Sequence, residues 1–207
     1  MNMKQFGVPL ALSLILSLSG CYVQSLYPCY SKEAAVDMPE LVGNWREADD
    51  AEQKKPAWQF KDDGTIITYE DDVSSPVKAV YFRVGEHVFA DWTAGDIDED
   101  TGINSYWSVH VMPTHSVLKV EHHGDELTLT PLDLGWTTEA AKEDPSLLPH
   151  VLMEEDDHLL FMAFPEEWET FLQAHATNSA AFNPDSALRF LKVPAVEETS
   201  APADPKD

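Results

Sequence analysis

Two cysteines in 207 residues are too few for a disulfide-built scaffold. Basic side chains are scarce as well: 13 Lys and Arg stand against 37 Asp and Glu, a formal net charge of −24. A surface of that sign repels phosphate backbones and anionic headgroups, which argues against nucleic acid as a partner. Also missing are a Gly-x-Ser-x-Gly elbow, a phosphate-cradling glycine loop, a Cys-x-x-Cys pair and a His-Glu-x-x-His helix. Acids are so abundant that any two of them mimic a catalytic dyad. The chain is therefore read as a non-enzyme without cofactor. No apolar run reaches the roughly 20 residues that a membrane-crossing helix needs.

The longest apolar run lies near the start. Lys4 precedes "FGVPLALSLILSL", residues 6–18, and the small residues Ser19 and Gly20 follow. A charged start, a short apolar stretch and a small-residue cleavage site make a secretory signal peptide. Leu18-Ser19-Gly20-Cys21 resembles the lipobox of bacterial lipoproteins. That resemblance implies cleavage between Gly20 and Cys21 and lipid attachment at Cys21. Each buried methylene contributes about 0.8 kcal/mol, so two or more acyl chains anchor stably where one binds reversibly. Tyr22, not aspartate, follows the cysteine; the resemblance then points to the outer membrane, facing the periplasm. With Cys21 lipidated, Cys29 is left alone in "YPCYS" and reads as a packed thiol. A Cys21–Cys29 disulfide remains open only if lipidation never occurs.

Four regions follow from composition. Residues 1–20 are the leader, 21–39 a tether and lead-in segment, 40–193 the folded domain, and 194–207 an acidic Pro/Ala-rich tail expected to be disordered. Extended, the tether would reach at most about 60 Å, although Tyr22, Tyr27 and Tyr30 favour partial docking on the domain. Acidic patches such as "YEDDV", "DIDED" and "PEEWE" read as turns and solvated faces between apolar segments.

Hairpin signals recur through the domain. In "HSVLKVEHHGDELTLTPLD" a two-residue turn at Gly124-Asp125 pairs His123 with Glu126. Leu118, Val120 and His122 then share a face with Leu127 and Leu129, and the other face is polar. A one-residue slip would destroy that separation. Further turns are expected at Asp62-Asp63-Gly64, at Gly85-Glu86 and at Asp156-Asp157. The second puts Val80, Phe82, Val84 and Phe89 on one face and Tyr81, Val88, Ala90 and Trp92 on the other. The third aligns Val151 and Met153 with Leu160 and Met162. Two helices are expected, a short one over 137–148 and a better one in "PEEWETFLQAHA". In the latter Pro165 suits the first turn, and Trp168, Phe171, Leu172 and His175 form one stripe.

"LVGNW", residues 41–45, opens the first strand with Gly43-x-Trp45, and "WQF" and "DDGT" follow as strand and turn. This resembles the first strand of lipocalin-like families, and the wider pattern resembles bacterial lipoproteins that carry such a domain. The resemblance implies a mainly β fold, an antiparallel meander closing into a barrel; the two short helices read from the sequence depart from a plain eight-stranded calyx and are expected to pack on it. It also implies that Trp45 helps close one barrel end. No ligand residue carries over.

Candidate chemistry is sparse. Asp96, Asp98 and Asp100 in "GDIDEDTGIN" suggest a calcium loop. Thr101 and Trp107, however, occupy the positions where an EF-hand needs Gly and Glu, so a solvated loop is the simpler reading. His110, His115, His122 and His123 lie close in sequence, but His122 and His123 point to opposite sheet faces, so no metal site is expected. Two function classes remain. In one, the barrel takes a small apolar or amphiphilic ligand, with Trp45, Trp58, Phe60, Phe82 and Trp92 as lining or as packed core. In the other, a structural or assembly lipoprotein meets another envelope protein. An enclosed cavity favours the first; a filled core with an exposed apolar patch favours the second.

Overall fold

The alternation that separates apolar from polar residues becomes a curved sheet with two covered faces. The computed structural model describes residues 22–50, 52, 55–70, 73–98, 101–153 and 158–194. Its strands are β1 (Gln24–Ser25), β2 (Gly43–Glu47), β3 (Trp58–Phe60), β4 (Thr65–Glu70), β5 (Val73–Val84) and β6 (His87–Ala94). After a short helix α1 (Ser105–Ser108) come β7 (Ser116–His123), β8 (Glu126–Pro131) and α2 (Leu134–Glu143). The chain ends with β9 (His150–Met153), β10 (His158–Phe161), α3 (Pro165–His175) and β11 (Leu188–Lys192). Strands β2 to β8 form an antiparallel meander, and β11 pairs with both β8 and β2 to close an eight-stranded barrel. The fold is mainly β and lipocalin-like, with short helices packed on the barrel.

The hairpin registers follow the sequence patterns. His123 pairs with Glu126 across Gly124-Asp125, and Val84 pairs with His87 across Gly85-Glu86. Both turn glycines hold positive φ, 61° and 59°, which suits glycine best. Gly64 (φ 77°) turns β3 into β4, and a Cβ there would stand 2.7 Å from the Ala79 carbonyl oxygen. These turns lie at one end of the barrel, and the β6–β7 excursion with α1 lies at the other.

Two apolar cores result. The lumen holds Trp45, Trp58, Phe60, Ile66, Val77, Ala90, Trp92, Leu118, Leu129 and Phe190. Outside the β5–β6 wall, Phe82, Val84 and Phe89 meet Val23, Cys29, Phe161, Trp168, Phe171 and Leu172. Helix α3 starts with Pro165 and two acids and buries Trp168, Phe171 and Leu172 in this outer core. Helix α2 is capped by the Asp133 carboxylate, which accepts from the Trp136 N–H at 2.7 Å. It runs from Leu134 to Glu143, earlier than the expected 137–148, because that cap precedes Thr137 and Pro145 stops the helix.

The lead-in segment docks on the domain, as its tyrosines suggested, and does so along most of its length. It is not a loose tether: Tyr22 bridges Asp133, Ser25 bridges His115 and Ala35 bridges Phe82. Val23, Ser25 and Cys29 are buried. Strand β1 pairs in parallel with β10, so β9 and β10 form a separate three-stranded sheet with it instead of joining the barrel. Val151 opposes Leu160 as expected, while Met153 opposes His158. The Asp156-Asp157 turn, the leader with Gly20 and Cys21, and all of the tail beyond Pro194 lie outside the described residues. Among the described residues no helix is long and apolar enough to cross a membrane.

Candidate functional site

The two barrel ends are finished differently. At the glycine-turn end Trp45 is fully buried. Its indole N–H donates to the Leu41 carbonyl at 2.7 Å, and Leu41 belongs to a 3₁₀ turn (Pro39–Leu41) that crosses this end. The Lys192 ammonium lies 5.2 Å from the Trp45 ring centroid and donates to the Glu40 carbonyl at 2.7 Å. That cation–π contact and the two hydrogen bonds seal the end. His122 packs edge-on against Trp45, with ring centroids 5.8 Å apart.

The other end is covered by α1. Asn104 is its N-cap: the side-chain oxygen accepts from the Trp107 N–H, and the amide donates to Thr68 Oγ1 at 3.0 Å. The Asn104 N–H donates to Ser75 Oγ, whose hydroxyl donates to the Gly102 carbonyl. Glu70 accepts from both the backbone N–H and the hydroxyl of Ser105 at 2.7 Å. So fastened, α1 sets Tyr106 edge-on over Trp58, with ring centroids 4.8 Å apart. His110 follows, its Nδ1 3.1 Å from the Tyr106 carbonyl.

Beneath this cover the lumen is crowded yet not fully paired. Trp58 and Trp92 stand 6.3 Å apart between ring centroids, and Trp92 lies directly opposite Ser116. Among the described residues the Trp58 and Trp92 indole N–H groups, Ser116 Oγ, His110 Nε2 and His122 Nε2 are buried without a hydrogen-bond partner. All but His122 lie toward the α1 end. A buried polar group left unpaired costs about 1–3 kcal/mol, so four of them together mark this region. Just outside, a cleft of about 540 Å³ opens between Glu47, Asp49, Lys55, Tyr69, Glu70, Tyr106, Leu188 and Arg189. Burial, and then the nearby carboxylates Glu47, Glu70 and Asp49, push the Tyr106 phenol up.

Of the residues expected to line the barrel, Trp45, Trp58, Phe60 and Trp92 share the lumen. Phe82 does not. It stacks on Phe89 outside the wall and packs with Trp168 and Cys29. The β5 strand is apolar on both faces because it separates two cores, so sequence alternation cannot assign inside and outside there. The four histidines also part company: His110 lies under α1, His122 beside Trp45, His115 on the outer wall, and His123 in solvent. Asp96 and Asp98 are exposed, and Asp100 lies outside the described residues.

One group escaped sequence reasoning. Asp91 is a buried carboxylate on the outer wall. It accepts from His115 Nδ1 at 2.6 Å and from the Cys29 backbone N–H at 2.7 Å. The signal was a single acid between apolar neighbours in "VFADW". Burial first, and then the Asp91 charge, push the Cys29 thiol well up. A nucleophilic cysteine needs the opposite, a lowered pKa. The arrangement is a clamp that holds the lead-in segment on the barrel.

His110 gives the α1 cover a pH dependence. Burial lowers its imidazole from the ordinary 6.5 to about 4, against a smaller opposing effect from the Tyr106 carbonyl. Between those values the unfolded chain binds a proton that the folded chain refuses. Stability from the neutral ring is therefore complete above about pH 6.5, is lost as pH falls from 6.5 to 4, by about 3 kcal/mol in all, and levels off below 4. The difference in unfolding free energy between wild type and His110→Gln, measured from pH 7 to 4, should shrink by about that amount. The many surface carboxylates titrate alike in both proteins and cancel. A constant difference would show that His110 titrates freely.

Neither a known protein family, nor a curated protein, nor a solved structure matches this chain.

Proposed function

We propose that this chain is an exported, lipid-anchored cell-envelope protein whose barrel binds a small amphiphilic molecule at its α1 end, without catalysis. The anchor reading rests on Leu18-Ser19-Gly20-Cys21 closing a signal peptide, and it favours the outer membrane, facing the periplasm. The single observation that carries the ligand reading is the 540 Å³ cleft beside Tyr106, whose ring lies over Trp58, with the unpartnered Trp58 and Trp92 N–H groups buried in the lumen behind it. Tyr69, Tyr106 and Leu188 offer apolar contact, while Glu47, Asp49 and Glu70 meet Lys55 and Arg189 around the rim. A filled lumen argues against an apolar ligand held deep inside. A molecule with an apolar part in the cleft and a hydrogen-bond acceptor under Tyr106 matches the groups present.

Native mass spectrometry of gently extracted mature protein should report acyl chains on Cys21 and a retained small molecule together. Tyr106→Ala removes the cover over Trp58; it should shift the tryptophan emission and change retention of that molecule about tenfold. Cys21→Ser should leave an unlipidated precursor. Acyl labelling of that variant would remove the anchor, and unchanged retention in Tyr106→Ala would remove the site.

A second reading, a structural or assembly lipoprotein acting through protein contacts, is favoured by one observation. The lumen is filled, with Trp45, Trp58 and Trp92 all buried, while apolar side chains such as Val111 and Phe164 are exposed. Mature protein without a bound small molecule but with a stoichiometric envelope protein would select it.

A further inference from the structure

We infer that the α1 end of the barrel is the face that lies against the membrane, its exposed apolar side chains seated in the interface of a zwitterionic bilayer. This rests on the proposed anchor at Cys21 and adds an orientation to it. The first support is the length of chain between anchor and fold. Tyr22, the residue after Cys21, is already bridged to Asp133, and Val23 and Ser25 are buried. One residue spans about 3.8 Å, so acyl chains on Cys21 would hold the domain against the bilayer. The roughly 60 Å leash that a free segment would allow does not exist.

The second support is where the exposed apolar side chains are. Asp133 follows the end of β8, and His115 precedes the start of β7, so the bridges of Tyr22 and Ser25, the residues nearest the anchor, fall at the α1 end. Leu26 and Tyr27 continue from β1 beyond Ser25, and Phe164 stacks on Tyr27 with centroids 5.0 Å apart. The Gln24 side chain donates to the Val109 carbonyl, which brings the Val111-Met112 turn to the same edge. Phe164 is 56% exposed, Val111 68%, Met112 49% and Ile103 57%. Ile103 belongs to the α1 excursion itself. Scattered single apolar residues need no explanation, but these share the barrel end at which Tyr22, next to the anchor, is fastened.

The occupant follows from charge as well as from apolarity. Tyr and Phe side chains with their backbones at the surface suit the headgroup layer. Glu166 and Glu167 stand in the first turn of α3, just past Phe164 and Pro165, and Asp96 and Asp98 are exposed in the β6–β7 excursion. Those acids would be repelled by anionic lipid, which leaves a zwitterionic surface as the match. In that pose the cleft beside Tyr106, also at the α1 end, stands next to the bilayer from which an amphiphile would come.

The test separates the orientation from the anchor. The chain from Cys21 onward, which contains every described residue, is coupled through the Cys21 thiol to a maleimide lipid in phosphatidylcholine vesicles. Cys29, buried and with its thiol pushed up, does not compete. Hydroxyl-radical footprinting then compares tethered with free protein. Tyr27, Met112 and Phe164 should be labelled at least about threefold more slowly on the vesicle, while Val42 and Leu191, at the glycine-turn end, keep their rates. In a Tyr27→Glu/Met112→Glu/Phe164→Glu variant, altered only at exposed positions, the protection of Val111 and Ile103 should vanish. Equal rates at both ends, or protection of Val42 and Leu191, would overturn the orientation. Acyl labelling of the natural precursor reads the anchor independently, so a missing lipid and a wrong face give different results.

Discussion

Trp45→Ala should leave the barrel poorly folded. The indole is fully buried, and its N–H is the donor to the Leu41 carbonyl. Truncating a buried tryptophan costs about 3–5 kcal/mol, a large part of the 5–15 kcal/mol by which a domain is stable. The loss is also local to a seal. Phe60, His122 and the Lys192 ammonium all rest on this ring, so its loss would open a cavity at the glycine-turn end. Trp45→Phe keeps a ring but no N–H and should recover about half of the loss. Trp168 sits on a covering helix, which on the sequence alone makes it the milder comparison. In the structure Trp168 is equally buried, packs on Phe161 and Phe171, and donates to Ser25 Oγ at 3.2 Å. Trp168→Ala should therefore cost a similar amount, but by loosening the outer layer. Near-ultraviolet dichroism and denaturant unfolding read both. A Trp45→Ala protein that melts within about two degrees of wild type would show that the ring seals nothing.

What the sequence made legible was local. The Gly124-Asp125 hairpin could be registered to the residue because one face is apolar and the other polar, so only one pairing works. The Gly85-Glu86 hairpin could be placed but not oriented, since β5 and β6 bury both faces. That is why Phe82 was assigned to the lumen and belongs outside it. Strand β11 carries five residues between Pro184 and Pro194, and its partner β2 lies more than a hundred positions earlier. Nothing in a short apolar run announces so distant a pairing, yet it closes the barrel. Helix α1 has four residues, too few for a period to show; its one signal was Asn104 as a cap. Strand β1 is two residues long and is defined by its neighbours alone. The seal at Trp45 could be anticipated from Gly43-x-Trp45, but the α1 cover and the unpaired groups beneath it depend on contacts between distant segments.

Asp91→Ala should release the lead-in segment. Both carboxylate oxygens are engaged inside the outer core, one with His115 Nδ1 and one with the Cys29 N–H. Removing the carboxylate leaves both donors without their acceptor, which typically costs about 1–3 kcal/mol for each buried group. Here the stranded groups are the His115 ring and a backbone N–H that has no other acceptor once the side chain is gone. Asp91→Asn keeps the shape and one acceptor for Cys29, and a change of His115 tautomer can meet the new amide, so it should cost less than half as much. The two variants give the clamp a readout beyond global stability. Cys29 is buried and its thiol is held up by burial and by the Asp91 charge, so in wild type it should react with a disulfide reagent only on unfolding. In Asp91→Ala the segment from Tyr22 to Tyr30 should open ahead of the barrel, and Cys29 should react at least about tenfold faster at denaturant concentrations where tryptophan emission is still native. If Cys29 stays protected until the barrel itself unfolds, the lead-in segment is held by Val23, Ser25 and the β1–β10 pairing, and Asp91 is not its clamp.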